Sequence, residues 1–372
     1  MKGAQVTGAP PVTSWNRWQG LARPVAAAVL TLLAALVLYG LIAQAGGNGA
    51  PRVEAASSTA MRAQGMIGDH ALYGNIAARV AAGEDYYVAA AAEHRANNYP
   101  LIPFVTVRLP TLAHIFALGG PTGGMLIVAA IGVAAILAWR RRLLDEPALP
   151  RYARFAALVM AANLSPIIAR DWVLIHEVVA GALVALALAL YRPERPWAAL
   201  AVLLVAALIR ETVVPAAIVL GCFALVDRDW RAVGAWVGVG VVMLGVMLLH
   251  LDAVTAVTRP GDLASPGWNG AGGWHSYLAF VHHVSAFRFL PEAATAVLIP
   301  LALFGWTAWR SRLAAAMLAV QLVYAVILML FARPNNFYWA MLVVPTLYTG
   351  LIFAPAALAA LARALWPVRH AA

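Results

Sequence analysis

The sequence predicts an all-α polytopic membrane protein, and three observations carry that reading. Of its 372 residues, 63% are hydrophobic and only 11% are charged, whereas a soluble domain carries about 25% charge. Mean hydropathy is +0.79. The apolar residues also fall into successive runs near the ~20 residues that cross a bilayer as a helix, separated by short basic clusters. Together these predict about ten transmembrane helices in a single domain, 1–372, with no soluble domain. Two large external loops are expected at 46–120 and 251–290.

The formal net charge of +10 would suit nucleic acid if the basic residues were concentrated on one surface. They sit instead at the ends of apolar runs, as orientation signals do, so no nucleic-acid partner is expected. Cys222 is the only cysteine and lies inside an apolar run. An intramolecular disulfide and a cysteine-based metal centre are thereby excluded.

The first span, 24–45, follows Lys2, Arg17 and Arg23, with Trp15 and Trp18 placed for the interface. Its AQA ending at 43–45 has the form of a signal-peptidase site, but the run is long for a signal peptide and the chain downstream is also membrane-embedded, which predicts an uncleaved helix. The stretch 46–120 carries too many charges to span. Within it NNYPLIP at 97–103 and VRLPTLAHIFALGG at 107–120 read as interfacial helices, since Arg108 and His114 disfavour lipid.

The second span, 124–139, ends in Arg140, Arg141 and Arg142, the strongest basic cluster, which assigns that side to the cytoplasm. Spans follow at about 155–169 and 172–191. The run 197–225 is interrupted by Arg210, Glu211 and Pro215, predicting two short helices that meet at a break. Further spans are expected at 232–250, 293–309, 313–331 and 338–361, with both termini cytoplasmic.

The chain contains no GxGxxG, P-loop, HExxH, GxSxG or CxxC motif. What remains is a concentration of Asp, Glu, Arg, His and Tyr on one side of the membrane, with Glu177, Arg210 and Glu211 inside apolar runs. Ionisable groups there cost about 2.5–3.5 kcal/mol on insertion scales, so they should be paired or line a cavity. Asp69 is the leading candidate. It shares a helical face with Tyr73, four residues on, although an Asp after a Gly also suits a helix cap.

GDHALY at 68–73, AGEDYY at 82–87, NNYPLIP at 97–103, LIRETVVP at 208–215 and ARPNNFYWAMLVVP at 332–345 together resemble the GT-C superfamily of polyprenyl-phosphate-sugar-dependent membrane glycosyltransferases. Asp69-His70 stands where many members have an acidic pair, and the C-terminal soluble domain of larger members is absent. The resemblance implies an inverting transfer on the external, periplasmic side of a cell membrane, in bacteria the inner membrane. Asp69 would be the general base, and Arg210, Arg333, Arg170 and Arg108 the candidates for the donor phosphate. Tyr73, Glu84, Asp85, Tyr99, Trp274 and His275 would contact the sugar or acceptor. The partners implied are a polyprenyl-phosphate-linked sugar, membrane lipid, and a lipid, glycan or protein acceptor. No cofactor and no metal ligand set are expected, a divalent ion bridging phosphate and carboxylates being compatible but not required.

Two alternatives stand beside this. An O-antigen-ligase-like or polymerase-like enzyme would centre on the loop holding Arg259 and Arg288. A lipid-linked-substrate transporter would use the break at Arg210 as its gate.

Overall fold

The computed structural model describes residues 15–45, 65–169 and 172–366. These residues form helices connected by turns, with two isolated β-bridges, Asn16 with Trp309 and Ile102 with Ala264. In chain order the helices are α1 (Arg23–Ala45), α2 (Asp69–Ala81), α3 (Tyr86–Ala96), α4 (Thr111–Leu144), α5 (Ala156–Asn163), α6 (His176–Leu190), α7 (Trp197–Ile209), α8 (Val214–Val226), α9 (Trp230–Val257), α10 (Gly273–Val284), α11 (Glu292–Ala308) and α12 (Arg312–Leu330). A 3₁₀ stretch, Pro334–Leu342, leads through α13 (Val344–Leu347) and a 3₁₀ turn to α14 (Ala354–Leu365).

The protein is a helical membrane protein, but the expected ten spans are corrected. Among the described residues four helical segments are long and apolar enough to cross a bilayer: Arg23–Ala45, Phe104–Leu144, Trp230–Val257 and Arg312–Leu330. A fifth forms if Val344–Ile352 and Ala354–Leu365, bent by 42° at their junction, make one span. The physical reason is helical rise. The run at 172–191 that predicted a span yields α6, of 15 residues, and the two short helices expected within 197–225 are present as α7 and α8, of 13 residues each. At 1.5 Å per residue these reach only about 20 Å. The run at 155–169 yields the eight-residue α5 and a 3₁₀ turn.

The interfacial helices expected at 97–103 and 107–120 are also corrected. Residues 97–103 are not helical, and Thr111 onward belongs to α4, which is kinked at Gly120 (φ 64°, ψ 175°) and continues through Pro121. A left-handed φ there is open to glycine and strained for other residues.

The short helix α6 is the centre of the bundle. Every residue from His176 to Ala185 is buried, which is why its sequence is apolar on all faces instead of one. It packs on α7, α4 and the Pro334–Leu342 stretch. Gly181 makes the last contact possible, because a Cβ there would collide with the Met341 carbonyl.

Beyond one end of this bundle the two polar loops are tied together. Leu101 and Ile102 pair with Leu263 and Ser265 through backbone hydrogen bonds, and Arg95 on α3 donates to Asp262 at 2.7 and 2.8 Å and to the Val257 carbonyl at 2.6 Å. The Arg95 bonds hold the Asp262 carboxyl down at about 2, so this tie persists throughout the neutral range.

Candidate active site

Five chain segments begin or break at that same end, and each break delivers a polar side chain. α2 starts with Gly68 in the N-cap position and Asp69 in its first turn. Arg108 precedes α4, whose N-cap is Pro110. α6 opens on His176 and Glu177. α7 stops at Ile209 because Arg210 is extended (φ −147°, ψ 108°), and Pro215 restarts a helix in the first turn of α8. The stretch Pro334–Leu342 contributes Tyr338.

Asp69 does not occupy the cap position. Its side-chain hydrogen bond comes from the Tyr99 hydroxyl, at 3.0 Å to Oδ1, and that hydroxyl also meets the Ile67 carbonyl. Burial pushes the Asp69 carboxyl above its ordinary value, and the nearby Arg108 and the Tyr99 bond offset this only in part. Burial likewise pushes the Tyr73 and Tyr99 hydroxyls up, so both are neutral donors at any physiological pH.

Arg108 lies across from Asp69. Its Nη2 donates to the Tyr338 hydroxyl at 3.3 Å, its guanidinium stands 5.9 Å from the Tyr73 ring centroid, and its carbonyl accepts from the Tyr86 hydroxyl at 2.7 Å. Its Nε is buried with no partner. Tyr73 in turn meets the His176 ring edge-on at 4.7 Å.

Arg210 is committed elsewhere. It is buried between two carboxylates, donating from Nε to Glu177 at 2.5 Å and from Nη1 to Glu211. Such a charge needs partners in a low-dielectric interior, and it has them. Arg210 is thus paired with two carboxylates, whereas Arg108 makes no ion pair among the described residues.

Exposure separates a rim from a floor. Asp69, Arg108, Glu211 and Tyr338 are partly exposed, whereas Tyr73, His176, Glu177 and Arg210 are buried. The void beside Tyr73 and His176 measures about 10 Å³, room for one water at most. Asp69 and Arg108 are thus reachable in part from outside, whereas the floor is closed. A larger cavity, of about 400 Å³, lies elsewhere, among the turns at the other ends of α6 and α8.

The remaining sequence candidates are dispersed. Arg333 holds the second loop, donating to the Pro266 carbonyl at 3.0 Å and to Ser265 Oγ at 3.3 Å with Trp268 beneath it; it reaches Tyr338 only through Asn336. Glu84 forms a surface pair with Arg79, and Asp85 caps α3 by accepting from the Tyr87 and Val88 N–H groups. Trp274 and His275 sit on α10, Trp274 against Gly40 of α1, each with a buried ring nitrogen lacking a partner. Arg170 lies outside the described residues. Among the described residues no three His, Cys, Asp or Glu side chains are grouped to hold a metal ion.

Sequence reasoning missed Tyr338 and His176. The signal for His176 was present, since it adjoins Glu177 within the same apolar run. Tyr338 had none beyond its place in an aromatic triplet.

Comparison with known proteins returns nothing to set beside this geometry: no family model, no curated protein and no solved structure matches the chain.

Proposed function

We propose that the chain is an integral membrane glycosyltransferase that moves a sugar from a polyprenyl-phosphate donor to a lipid, glycan or protein acceptor. Asp69 acts as general base and Arg108 receives the leaving phosphate. The observation that carries this reading is the pairing, on one partly exposed rim, of a carboxyl raised by burial with a guanidinium that makes no ion pair among the described residues.

A base is most effective when its pKa approaches the working pH, and burial moves Asp69 in that direction. The acceptor hydroxyl gives its proton to Asp69 as its oxygen attacks the anomeric carbon from the face opposite the phosphate. The C1–O bond to the phosphate breaks, its electron pair leaves with the phosphate, and the configuration inverts. Arg108 stabilises that leaving charge with a planar donor set, so no general acid is required. The active side is the one carrying Asp69, which we assign to the outside because Arg140, Arg141 and Arg142 cap the far end of α4.

Asp69→Asn tests this directly in a transfer assay with a polyprenyl-phosphate sugar. Transfer should fall by about 10²–10⁴, the range for a general base, while donor binding persists. Asp85→Asn should be nearly silent, since Asn caps a helix as well as Asp. Undiminished transfer by Asp69→Asn would remove Asp69 from the chemistry.

A further inference from the structure

The Arg108 guanidinium has one hydrogen bond among the described residues, the 3.3 Å contact with Tyr338, so its aim depends on the backbone that carries it. That backbone is irregular. Val107 and Arg108 lie between a 3₁₀ turn, Phe104–Thr106, and the start of α4, and no backbone N–H among the described residues reaches either carbonyl. Val107 is buried. A buried carbonyl left without a donor costs free energy comparable to a lost hydrogen bond, and here side chains from two other helices supply the donors.

Tyr86 and Tyr87 open α3 directly after its cap, Asp85. The Tyr86 hydroxyl donates to the Arg108 carbonyl at 2.7 Å. His250, on the spanning helix α9 and only 2% exposed, donates from Nε2 to the Val107 carbonyl at 3.1 Å. The Val107 carbonyl belongs to the peptide plane before the Arg108 Cα and the Arg108 carbonyl to the plane after it. Because φ and ψ are the only soft backbone angles of a residue, holding both planes fixes the direction in which the arginine side chain leaves the chain.

The imidazole is itself oriented. A carbonyl only accepts, so Nε2 carries the ring proton, and in the neutral ring Nδ1 accepts from the Tyr87 hydroxyl at 3.2 Å. The rings of Tyr87 and Phe104 lie on it with centroids 5.6 and 5.8 Å away. An ionisable side chain within a spanning helix is expensive unless it is partnered, and this one commits both nitrogens to holding the peptide that joins Val107 to Arg108.

We propose that His250 and Tyr86 are positioning residues for Arg108: by fixing the two peptide planes that flank its Cα they aim the guanidinium at the leaving phosphate, an inference that rests on the transfer reading above. Tyr87 sets the His250 ring. Loss of either clamp frees one plane to rotate, and a guanidinium displaced by even about 1 Å no longer meets its target in productive geometry.

Calorimetric titration of the purified full chain in detergent tests this, with farnesyl phosphate as a probe that carries the leaving group without a sugar. Tyr86→Phe and His250→Leu should each weaken binding by about fivefold, the scale of one net hydrogen bond. Tyr86→Phe removes a single oxygen, so it decides the matter even where His250→Leu fails to fold. His250→Gln should retain the original affinity, because its amide keeps a donor for Val107 and an acceptor for Tyr87. In an Arg108→Gln background neither Tyr86→Phe nor His250→Leu should weaken binding further, since both act through Arg108, whereas a general loosening of the fold would add to its effect. Undiminished binding by Tyr86→Phe or His250→Leu while Arg108→Gln binds more weakly, effects that add in the double variants, or equal loss in His250→Gln and His250→Leu each overturns the inference and leaves the transfer reading standing. Undiminished binding by Arg108→Gln, or no saturable binding by the unsubstituted protein, overturns both.

Discussion

The phenol of Tyr99 donates to Asp69 Oδ1 across 3.0 Å while touching the Ile67 carbonyl with the same oxygen. One proton faces two acceptors, so the pair can serve both states of the carboxyl. When Asp69 is ionised the Tyr99 proton belongs to it; when Asp69 has taken a proton, it donates to the Tyr99 oxygen and Tyr99 turns to Ile67. A general base, as proposed for Asp69, benefits from a partner that costs neither protonation state its hydrogen bond.

Tyr99→Phe should therefore change the pH dependence of transfer more than its maximum. The Tyr99 bond lowers the Asp69 pKa, against the larger upward push of burial. Its loss raises the pKa further. The proposed reaction requires the ionised carboxylate, so the acid limb of the pH–rate profile should move to higher pH by about one pH unit, the equivalent of one hydrogen bond to a charged group. A profile that keeps its acid limb in place would show that another group titrates.

Arg108→Gln should raise the KM for the lipid-linked donor by about 10- to 100-fold, because a charge-assisted contact to phosphate contributes about 1.5–3 kcal/mol. Arg108→Lys should recover part of the charge but not the fork geometry. Equal donor affinity in all three proteins would place the phosphate away from Arg108.

How much of this was legible in the sequence follows from what each residue type reports. Asp69 and the break at Arg210 stood out because charge in an apolar chain is expensive and hence conspicuous. Their relation did not, since pairing is a property of three dimensions: Arg210 reads as a free phosphate ligand until Glu177, thirty-three positions earlier, is seen against it. The helical class was legible from hydropathy alone. The number of spans was not, because a run of apolar residues measures burial, and α6 is buried by protein on all sides instead of by lipid.

Arg210→Ala is expected to unfold the site instead of merely slowing it. Removing the guanidinium leaves Glu177 and Glu211 facing each other, with Glu177 buried, and breaking such a pair costs about 3–5 kcal/mol. The variant should lose detergent-solubilised yield and melt earlier by calorimetry. Glu177→Leu combined with Arg210→Met should recover most of that stability, since an apolar replacement of a buried pair is often neutral. A singly substituted Arg210→Ala protein of normal stability that has lost only donor binding would return Arg210 to the phosphate site.

The placement of Asp69 outside and Arg141 inside is the remaining point to test, and the structure supplies suitable positions. α4 runs 34 residues from Thr111, just past Arg108, to Leu144, with Arg141 in its last turn. At about 1.5 Å per residue the two ends are farther apart than the ~30 Å hydrocarbon layer, even with the kink at Gly120. His70 and Arg141 are both exposed, so a cysteine at either is reachable by a reagent on its own side. In a Cys222→Ala background, His70→Cys should react with a membrane-impermeant maleimide applied to intact spheroplasts, and Arg141→Cys only after lysis. The charge bias predicts this polarity because Arg140, Arg141 and Arg142 form the densest basic cluster and retain their side of the membrane during insertion. Labelling of position 141 in intact cells, with position 70 protected, would invert the orientation and put the proposed base on the cytoplasmic face.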